Sequence, residues 1–281
     1  MQGIGQLLWK LREKEGIRQK QLCLGISSVS KYARIEADQQ DIDFFLIDRV
    51  MGRMGKSVER LTYILPRDIY NIYELRQEIQ QKICQRKWEE AEQCLAEYEK
   101  NKRAKEPLHK QFIEQEYAQI VWLRGEAIEL VCEHLEKAIM QTMPEVEEQR
   151  KTGVLSAEEY KLLLFRWEVC QSAKQKRTKD EIRALVDEIF QKKFEKTERV
   201  KIIPYAALLR NRIAEKSEKN TYIKFYEDLN ELIDNEYKKE NKNDEYIKYL
   251  KSKRKEVKRD ILKKTVNIPA YRTKNLGVIT D

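Results

Sequence analysis

The sequence predicts an all-α protein, and three observations lead to that fold class. Strong helix formers (Glu, Lys, Leu, Ala, Gln and Arg) dominate the composition, and 37% of the residues are charged. Residues that break helices are scarce, at 9 glycines and 5 prolines in 281 residues. Apolar residues recur at helical spacing and make up 41% of the chain, which is enough to fill a core. The length predicts about two domains.

Glycine placement separates a first part of short helices from a second part of long ones, because six of the nine glycines lie within the first 55 residues. A stripe of leucines predicts the first helix, which Gly16 ends in a left-handed conformation. A serine is available to cap the third helix, and Gly55 ends the fourth. The predicted helices of this part are 4–15, 18–24, 29–37, 41–55 and a short one at 57–65, with a turn at 25–28.

The second and third helices, joined by a short turn that contains Gly25, predict a helix-turn-helix whose third helix enters the major groove of DNA. Val29, Tyr32 or Ala33, and Ile35 to Glu36 are expected to face inward, which leaves Ser28, Ser30, Lys31 and Arg34 toward solvent or DNA. The segment from Arg18 to Arg34 has four basic residues and no acidic one, which suits a surface that binds phosphates. A solvated helix face would carry a similar charge, so charge alone leaves both interpretations open.

Residues 4–61 resemble the helix-turn-helix of Xre or Cro-type repressors. The resemblance rests on Leu11-Arg12-Glu13, on Gln19 to Leu22 and on Ile35-Glu36. It implies a five-helix, lambda-repressor-like domain, a buried ion pair between Arg12 and Glu36, and a phosphate contact from Gln19. The DNA-binding residues predicted from the basic segment and the resemblance together are Gln19, Lys20, Ser28, Val29, Ser30, Lys31 and Arg34.

One stretch departs from the family pattern. The family follows Ile-Glu with Asn-Gly and a cation, whereas this chain has Ala37-Asp38-Gln39-Gln40-Asp41. Two acids at this position would repel phosphate. A helix-turn-helix fold that has lost DNA binding therefore stays open as an alternative.

Beyond residue 65, prolines 41, 37 and 60 residues apart alternate with long helical stretches, which predicts helical hairpins near the period of tetratricopeptide repeats. The prolines are Pro66, Pro107, Pro144 and Pro204. Capping boxes at Ser156 to Glu159 and at Thr178 to Glu181 predict further helix starts. The predicted domains are 1–64, a helix-turn-helix, and 65–281, an α-α superhelix of tetratricopeptide-like repeats for ligand binding and dimerisation.

Stacked hairpins leave a concave groove that can hold an extended peptide. Polar residues that could bind its backbone are Gln115, Gln119, Arg166, Arg210 and Asn211. The two-part architecture is similar to the RRNPP group, the Rgg-like and PlcR-like regulators of Gram-positive bacteria. This resemblance implies a homodimeric transcription factor that binds double-stranded DNA and is controlled by a short signalling peptide.

Other functions are not indicated by the sequence. Two histidines at no metal-binding spacing, and the lack of a phosphate loop or nucleophile elbow, predict neither an enzyme nor a metal or cofactor site. Five widely spaced cysteines are expected to be buried free thiols. No apolar stretch predicts a membrane span or a signal peptide, so a cytoplasmic protein is expected. Residues 248–264, with nine bases against Glu256 and Asp260, are expected to form a solvated helix that adds non-specific attraction to nucleic acid.

Three functions remain in competition at this stage. They are a peptide-controlled regulator, a DNA-binding regulator without a peptide ligand, and an adaptor whose repeats bind a protein partner while the first domain no longer binds DNA. Salt-sensitive binding to duplex DNA would distinguish the first two from the third.

Overall fold

The structure, a computed structural model, describes residues 3–58, 66–172, 179–213 and 251. All regular secondary structure in this part of the chain is helical, which confirms the all-α class. The chain divides into two compact units, Met1–Ile203 and Pro204–Asp281. The helices are α1 Ile4–Lys14, α2 Gln19–Cys23, α3 Val29–Glu36, α4 Phe44–Arg53, α5 Arg67–Cys84, α6 Trp88–Glu99, a 3-10 helix Lys102–Lys105, α7 Pro107–Arg124, α8 Ile128–Thr142, α9 Val146–Lys151, α10 Ala157–Ser172, α11 Lys179–Gln191 and α12 Lys196–Ile213.

The first four helices begin and end close to the predicted residues, because their ends carry local signals. Gly16 has a φ of +66°, and the following Ile17 N–H donates to the carbonyl of Arg12, which closes the C-terminus of α1. Gly55 has a φ of +72° just after α4. Asp43 caps α4, since its Oδ1 accepts from the Leu46 N–H at 3.0 Å.

Helices α5 and α6 pack on each other, as do α7 and α8. Ala91 is fully buried on α6. The buried cluster that contains Leu8 of α1 and Val50 of α4 also contains Leu95 of α6 and Ile120 of α7. Helices α1–α4 therefore share a continuous core with α5–α7, and the first compact unit contains both.

The capping box at the start of α10 is confirmed. The Ser156 N–H donates to Glu159 Oε2 at 2.8 Å, and the Glu159 N–H donates to Ser156 Oγ at 3.3 Å. The predicted helix at 57–65 beyond residue 58, Thr178 of the second box, and the basic segment 248–264 apart from Lys251 lie outside the described residues.

Two expectations about single residues are wrong. Pro204 does not separate two helices but lies inside α12. The residues on both sides of it, such as Ile203 and Ala206, are buried, and this burial outweighs the one backbone hydrogen bond that a proline removes. Cys84 is exposed at the end of α5, although Cys23 and Cys170 are buried as expected; all five cysteines are free thiols.

Within the described residues, no helix combines the length and the apolar character needed to span a membrane.

Candidate nucleic-acid interface

Helices α2 and α3 are joined by a turn whose glycine is required by the backbone. Gly25 has a φ of +76°, in the left-handed region that L side chains rarely adopt. Ser28 then starts α3, because its Oγ accepts from the Lys31 N–H at 3.2 Å. This N-cap is the serine cap that the sequence predicted.

The outer face of α3 is open to solvent. Ser28, Ser30 and Arg34 are exposed, and Lys31 is half-buried. Tyr32, Ile35 and Glu36 form the inward face. On the neighbouring α2, Lys20 is exposed and Gln19 is half-buried.

Val29 does not face inward. Its side chain is 43% exposed, so the expectation that it forms part of the buried face of α3 is wrong. Val29 is the first residue of the helix, and the buried stripe begins one turn later at Tyr32. An exposed methyl-bearing side chain at this position is able to contact a thymine methyl group.

The ion pair expected between Arg12 and Glu36 is present and bidentate. Arg12 Nε lies 2.7 Å from Glu36 Oε1, and Nη2 lies 2.9 Å from Oε2. Gln19 Nε2 donates to the same Oε2 at 2.7 Å. Burial alone would raise the pKa of Glu36, but the hydrogen bonds from Arg12 and Gln19 outweigh it and hold the pKa below its ordinary value. The network fixes α3 to α1 and α2 from behind its exposed face.

The side chain of Gln19 therefore makes a hydrogen bond within the protein. Its amide nitrogen carries a second hydrogen that remains for a phosphate, but its orientation is set by Glu36.

Asp38 has a structural role that the sequence did not predict. It lies in the left-handed region at φ 55°, and its Oδ1 accepts from the Gly5 N–H at 2.8 Å. Gly5 is in the first turn of α1, where backbone N–H groups lack partners within the helix. The positive end of α1 partly compensates this carboxylate, which reduces the repulsion of phosphate expected from the sequence.

The acidic residues of α1 and the following turn are also paired. Glu13 lies 2.7 Å from Arg12, and Glu15 lies 3.2 Å from Lys56. The basic residues Arg18, Lys20 and Arg34 are exposed around α2 and α3, and Asp41 is an exposed acid after α3.

Arg53 of α4 joins the α2–α3 turn to the later helices. It is 1% exposed, and all five of its N–H donors are used. Nη1 donates to the carbonyls of Leu22 and Leu24, both at 2.8 Å. Nη2 donates to the carbonyl of Thr142 at 2.9 Å. The remaining bonds go to Glu159, from Nε at 3.2 Å and from Nη2 at 2.6 Å.

Glu159 is completely buried and carries a negative charge. Burial alone would raise its pKa, but the positive charges of Arg53 and Arg49 lower the pKa to about 2. It also accepts hydrogen bonds from the N–H and Oγ of Ser156 at 2.8 and 2.9 Å. Glu159 therefore belongs both to the predicted capping box and to the ion pair with Arg53.

Lys192 adds a second connection. Its Nζ donates to the carbonyls of Arg53 at 2.9 Å, Gly153 at 2.7 Å and Leu155 at 2.5 Å. The end of α4, the connection before α10 and the end of α11 are held by one amino group, whose pKa is lowered by burial to about 7.

A cavity of about 510 Å³ lies beside α4 and is lined also by residues of α5, α7, α10 and the start of α12. Of the predicted peptide-binding residues in the first compact unit, only Gln115 lines it. Gln119 lies further along α7, and Arg166 lies 3.5 Å from Glu136. Arg210 belongs to the second unit, and the side chain of Asn211 lies outside the described part of the chain.

Glu116 on α7 is a buried carboxylate with only a neutral partner. It is 0% exposed, and its Oε1 accepts from Gln80 Nε2 at 3.1 Å, while Oε2 has no hydrogen-bond partner in the described residues. Burial raises the pKa of Glu116 to about 7. The stability that comes from keeping it protonated is present below pH 4.5 and is lost as the pH rises through 7.

We therefore expect Glu116→Gln to change the free energy of unfolding more favourably at pH 8 than at pH 4.5. The difference between its effects at the two pH values should be about 3 kcal/mol. Urea titrations of both proteins at the two pH values measure this difference, in which the titration of all other groups cancels. An equal effect of the substitution at both pH values would show that Glu116 ionises normally.

Arg53, Glu159 and Lys192 were not predicted as a cluster. Glu159 was found from its capping box, but its partner Arg53 is 106 residues away, and no local pattern marks such a pair.

Comparison of the chain with protein-family models, with curated proteins and with solved structures gave no match.

Proposed function

We propose that the chain is a cytoplasmic, homodimeric and non-enzymatic transcription regulator that binds double-stranded DNA through α3. In this proposal residues 1–64 are a lambda-repressor-like helix-turn-helix domain, and residues 65–281 are tetratricopeptide-like repeats that bind a short signalling peptide. The observation that carries the proposal is the exposed face of α3, which is anchored from behind by the pair of Arg12 and Glu36.

The arrangement of α3 supports insertion into a major groove. A helix of about 10–12 Å diameter fits a groove about 12 Å wide only if one face is free along its length. Ser28, Val29 and Ser30 at the exposed N-terminal end are small enough to let the backbone approach the bases. Arg34, one turn later, offers a fork of donors for guanine or phosphate.

Control by a ligand is supported by the position of the cavity beside α4. Asp48 and Arg49 of α4 line it, and the same helix carries Arg53, which binds the α2–α3 turn. A ligand that prefers one arrangement of α4 would alter DNA affinity, and DNA would alter ligand affinity by the same factor.

Arg34→Ala is expected to weaken binding to the specific site by about tenfold and to change sequence preference. Fluorescence anisotropy with duplex DNA from upstream of the protein's own gene, and with a scrambled duplex, measures both effects. Lys110→Ala, an exposed charge on α7, is the matched control and should leave affinity unchanged. Binding by the unaltered protein should fall steeply as salt is raised.

An adaptor is the second candidate, and exposed apolar side chains favour it. Leu123 near the end of α7 is 53% exposed, and Met140 near the end of α8 is 55% exposed. If no duplex gives a salt-sensitive complex, the adaptor replaces the regulator. If Lys110→Ala weakens binding as much as Arg34→Ala, α3 is not the DNA-binding helix.

A further inference from the structure

The cavity beside α4 contains a cation in an unusual environment. The guanidinium of Arg76 on α5 lies over two aromatic rings, 4.2 Å from the centre of Phe45 and 4.4 Å from that of Phe112. Cation–π contact with two rings holds the guanidinium in place, and its N–H groups remain for hydrogen bonds.

The bonds of Arg76 within the protein go to neutral groups. Nε lies 2.6 Å from Tyr98 Oη, and Nη2 lies 3.3 Å both from the Leu108 carbonyl and from His109 Nδ1. His109 is itself neutral, because burial and the nearby charge of Arg76 lower its pKa to about 3. Nη1 makes no hydrogen bond to any of the described residues, so one edge of the guanidinium remains for a ligand.

The other cations of the cavity already have carboxylates. Arg49 lies 3.3 Å from Glu159, and Lys201 lies 2.5 Å from Glu198. Among the described residues, Arg76 is the cavity's only cation without a carboxylate within 4.0 Å. Arg76 is half-buried, and desolvation lowers the pKa of its guanidinium. A partly desolvated cation without a counter-ion is costly, and an anionic ligand would relieve that cost.

The remaining lining restricts the kind of anion. Asp48 and Glu158 also line the cavity, and their negative charges would oppose a doubly charged phosphate more than a singly charged carboxylate. Phe44 and Tyr73 meet edge to face at 5.8 Å and supply an apolar wall. The volume of about 510 Å³ lies in the range of small-molecule sites.

We propose that this cavity binds a carboxylate-bearing ligand with an aromatic or aliphatic body, in which the carboxylate pairs with Arg76 and the body packs on Phe44 and Tyr73. The carboxylate is either that of a small organic acid or the C-terminus of a short peptide. The inference extends the ligand control proposed above, but it concerns binding alone, so it is tested without DNA and can succeed or fail independently of DNA recognition.

The test uses matched probes that differ only in charge. Calorimetry compares N-acetyl-phenylalanine with N-acetyl-phenylalaninamide, and a heptapeptide ending in a free phenylalanine with the same peptide amidated. We expect each free carboxylate to bind about tenfold or more tightly than its amide. Tighter binding of the small acid or of the free peptide then identifies the source of the carboxylate.

Variants locate the site. Arg76→Gln should abolish the preference for the carboxylate, while Arg67→Gln, an exposed arginine on the same helix, should retain it. Because Arg76→Gln removes the contacts with two aromatic rings and can unfold the protein, Gln77→Trp is the second variant. It fills the cavity from an exposed position and should weaken all probes that bind there.

The inference is overturned if acid and amide bind equally, if none of the carboxylate probes binds at millimolar concentration, or if inorganic phosphate competes more strongly than the acids. It is also overturned if Arg67→Gln removes the preference, or if Gln77→Trp leaves binding unchanged.

Discussion

Replacement of Arg53 by methionine should lower the free energy of unfolding by about 3–5 kcal/mol. The substitution removes five hydrogen bonds at once and leaves Glu159 buried with a weaker partner, Arg49, at 3.3 Å. It also leaves the carbonyls of Leu22 and Leu24 without the donor that they share. The loss is dominated by the charge left behind, and methionine itself fills most of the vacated volume.

Guanidinium titrations of Arg53→Met, Glu159→Gln and the double variant separate these contributions. Because the double variant no longer buries a lone carboxylate, it should be less destabilised than the sum of the two single variants by about 1–3 kcal/mol. Simple additivity of the two losses would contradict the direct coupling of Arg53 and Glu159 that the distances indicate. A loss below about 1 kcal/mol in Arg53→Met would show that the α2–α3 turn does not depend on this arginine.

The ion pair of Arg53 and Glu159 also makes the stability of the protein depend on pH in the acidic range. The pKa of Glu159 in the folded protein is about 2, below its ordinary value of 4.5. Stability from this group is therefore present above pH 4.5 and is lost as the pH falls through 2, a direction opposite to that of Glu116.

Local signals were sufficient to predict where the first helices lie. Gly16 and Gly55 end helices through positive φ, and Ser28 caps α3; each of these effects involves residues within one turn. The pair of Arg12 and Glu36 was expected from a family resemblance, since a separation of 24 residues has no periodic signature.

Contacts between distant segments could not be predicted in this way. Arg53 meets Thr142 and Glu159, 89 and 106 residues further along the chain. In the sequence Arg53 is one polar residue at the end of an amphipathic helix, and such residues are normally solvated. The neutral surroundings of Arg76 could not be predicted from the sequence either, because they combine Phe45 of α4 with the distant residues Tyr98, His109 and Phe112.

Gly25 shows how a residue with a recognised local role can have a second, non-local one. Its φ of +76° was expected of a glycine in a tight turn. A Cβ at this position would also collide with the carbonyl of Thr142 and would lie 2.8 Å from Pro144 Cδ. The turn of the α2–α3 pair is therefore packed directly against the end of α8.

Gly25→Ala should consequently destabilise the protein by about 2–4 kcal/mol, from the strained backbone and from the collision together. Gly16→Ala is the matched control, because Gly16 has a similar φ of +66° but no atom within 4 Å of an added Cβ. The control should lose only the backbone contribution of about 1 kcal/mol. Thermal and chemical unfolding of both variants measure the difference.

The excess loss in Gly25→Ala over Gly16→Ala isolates the contact between the turn and α8. If this contact and the bonds of Arg53 hold the turn jointly, the loss caused by Gly25→Ala should shrink when Arg53 is already methionine, since the turn can then move away from Thr142. Equal losses for the two alanine variants would mean that the turn is not packed on α8 in solution. In that case α2 and α3 would be free to move relative to the later helices. A ligand bound beside α4 would then not alter the position of α2 and α3 through packed contacts.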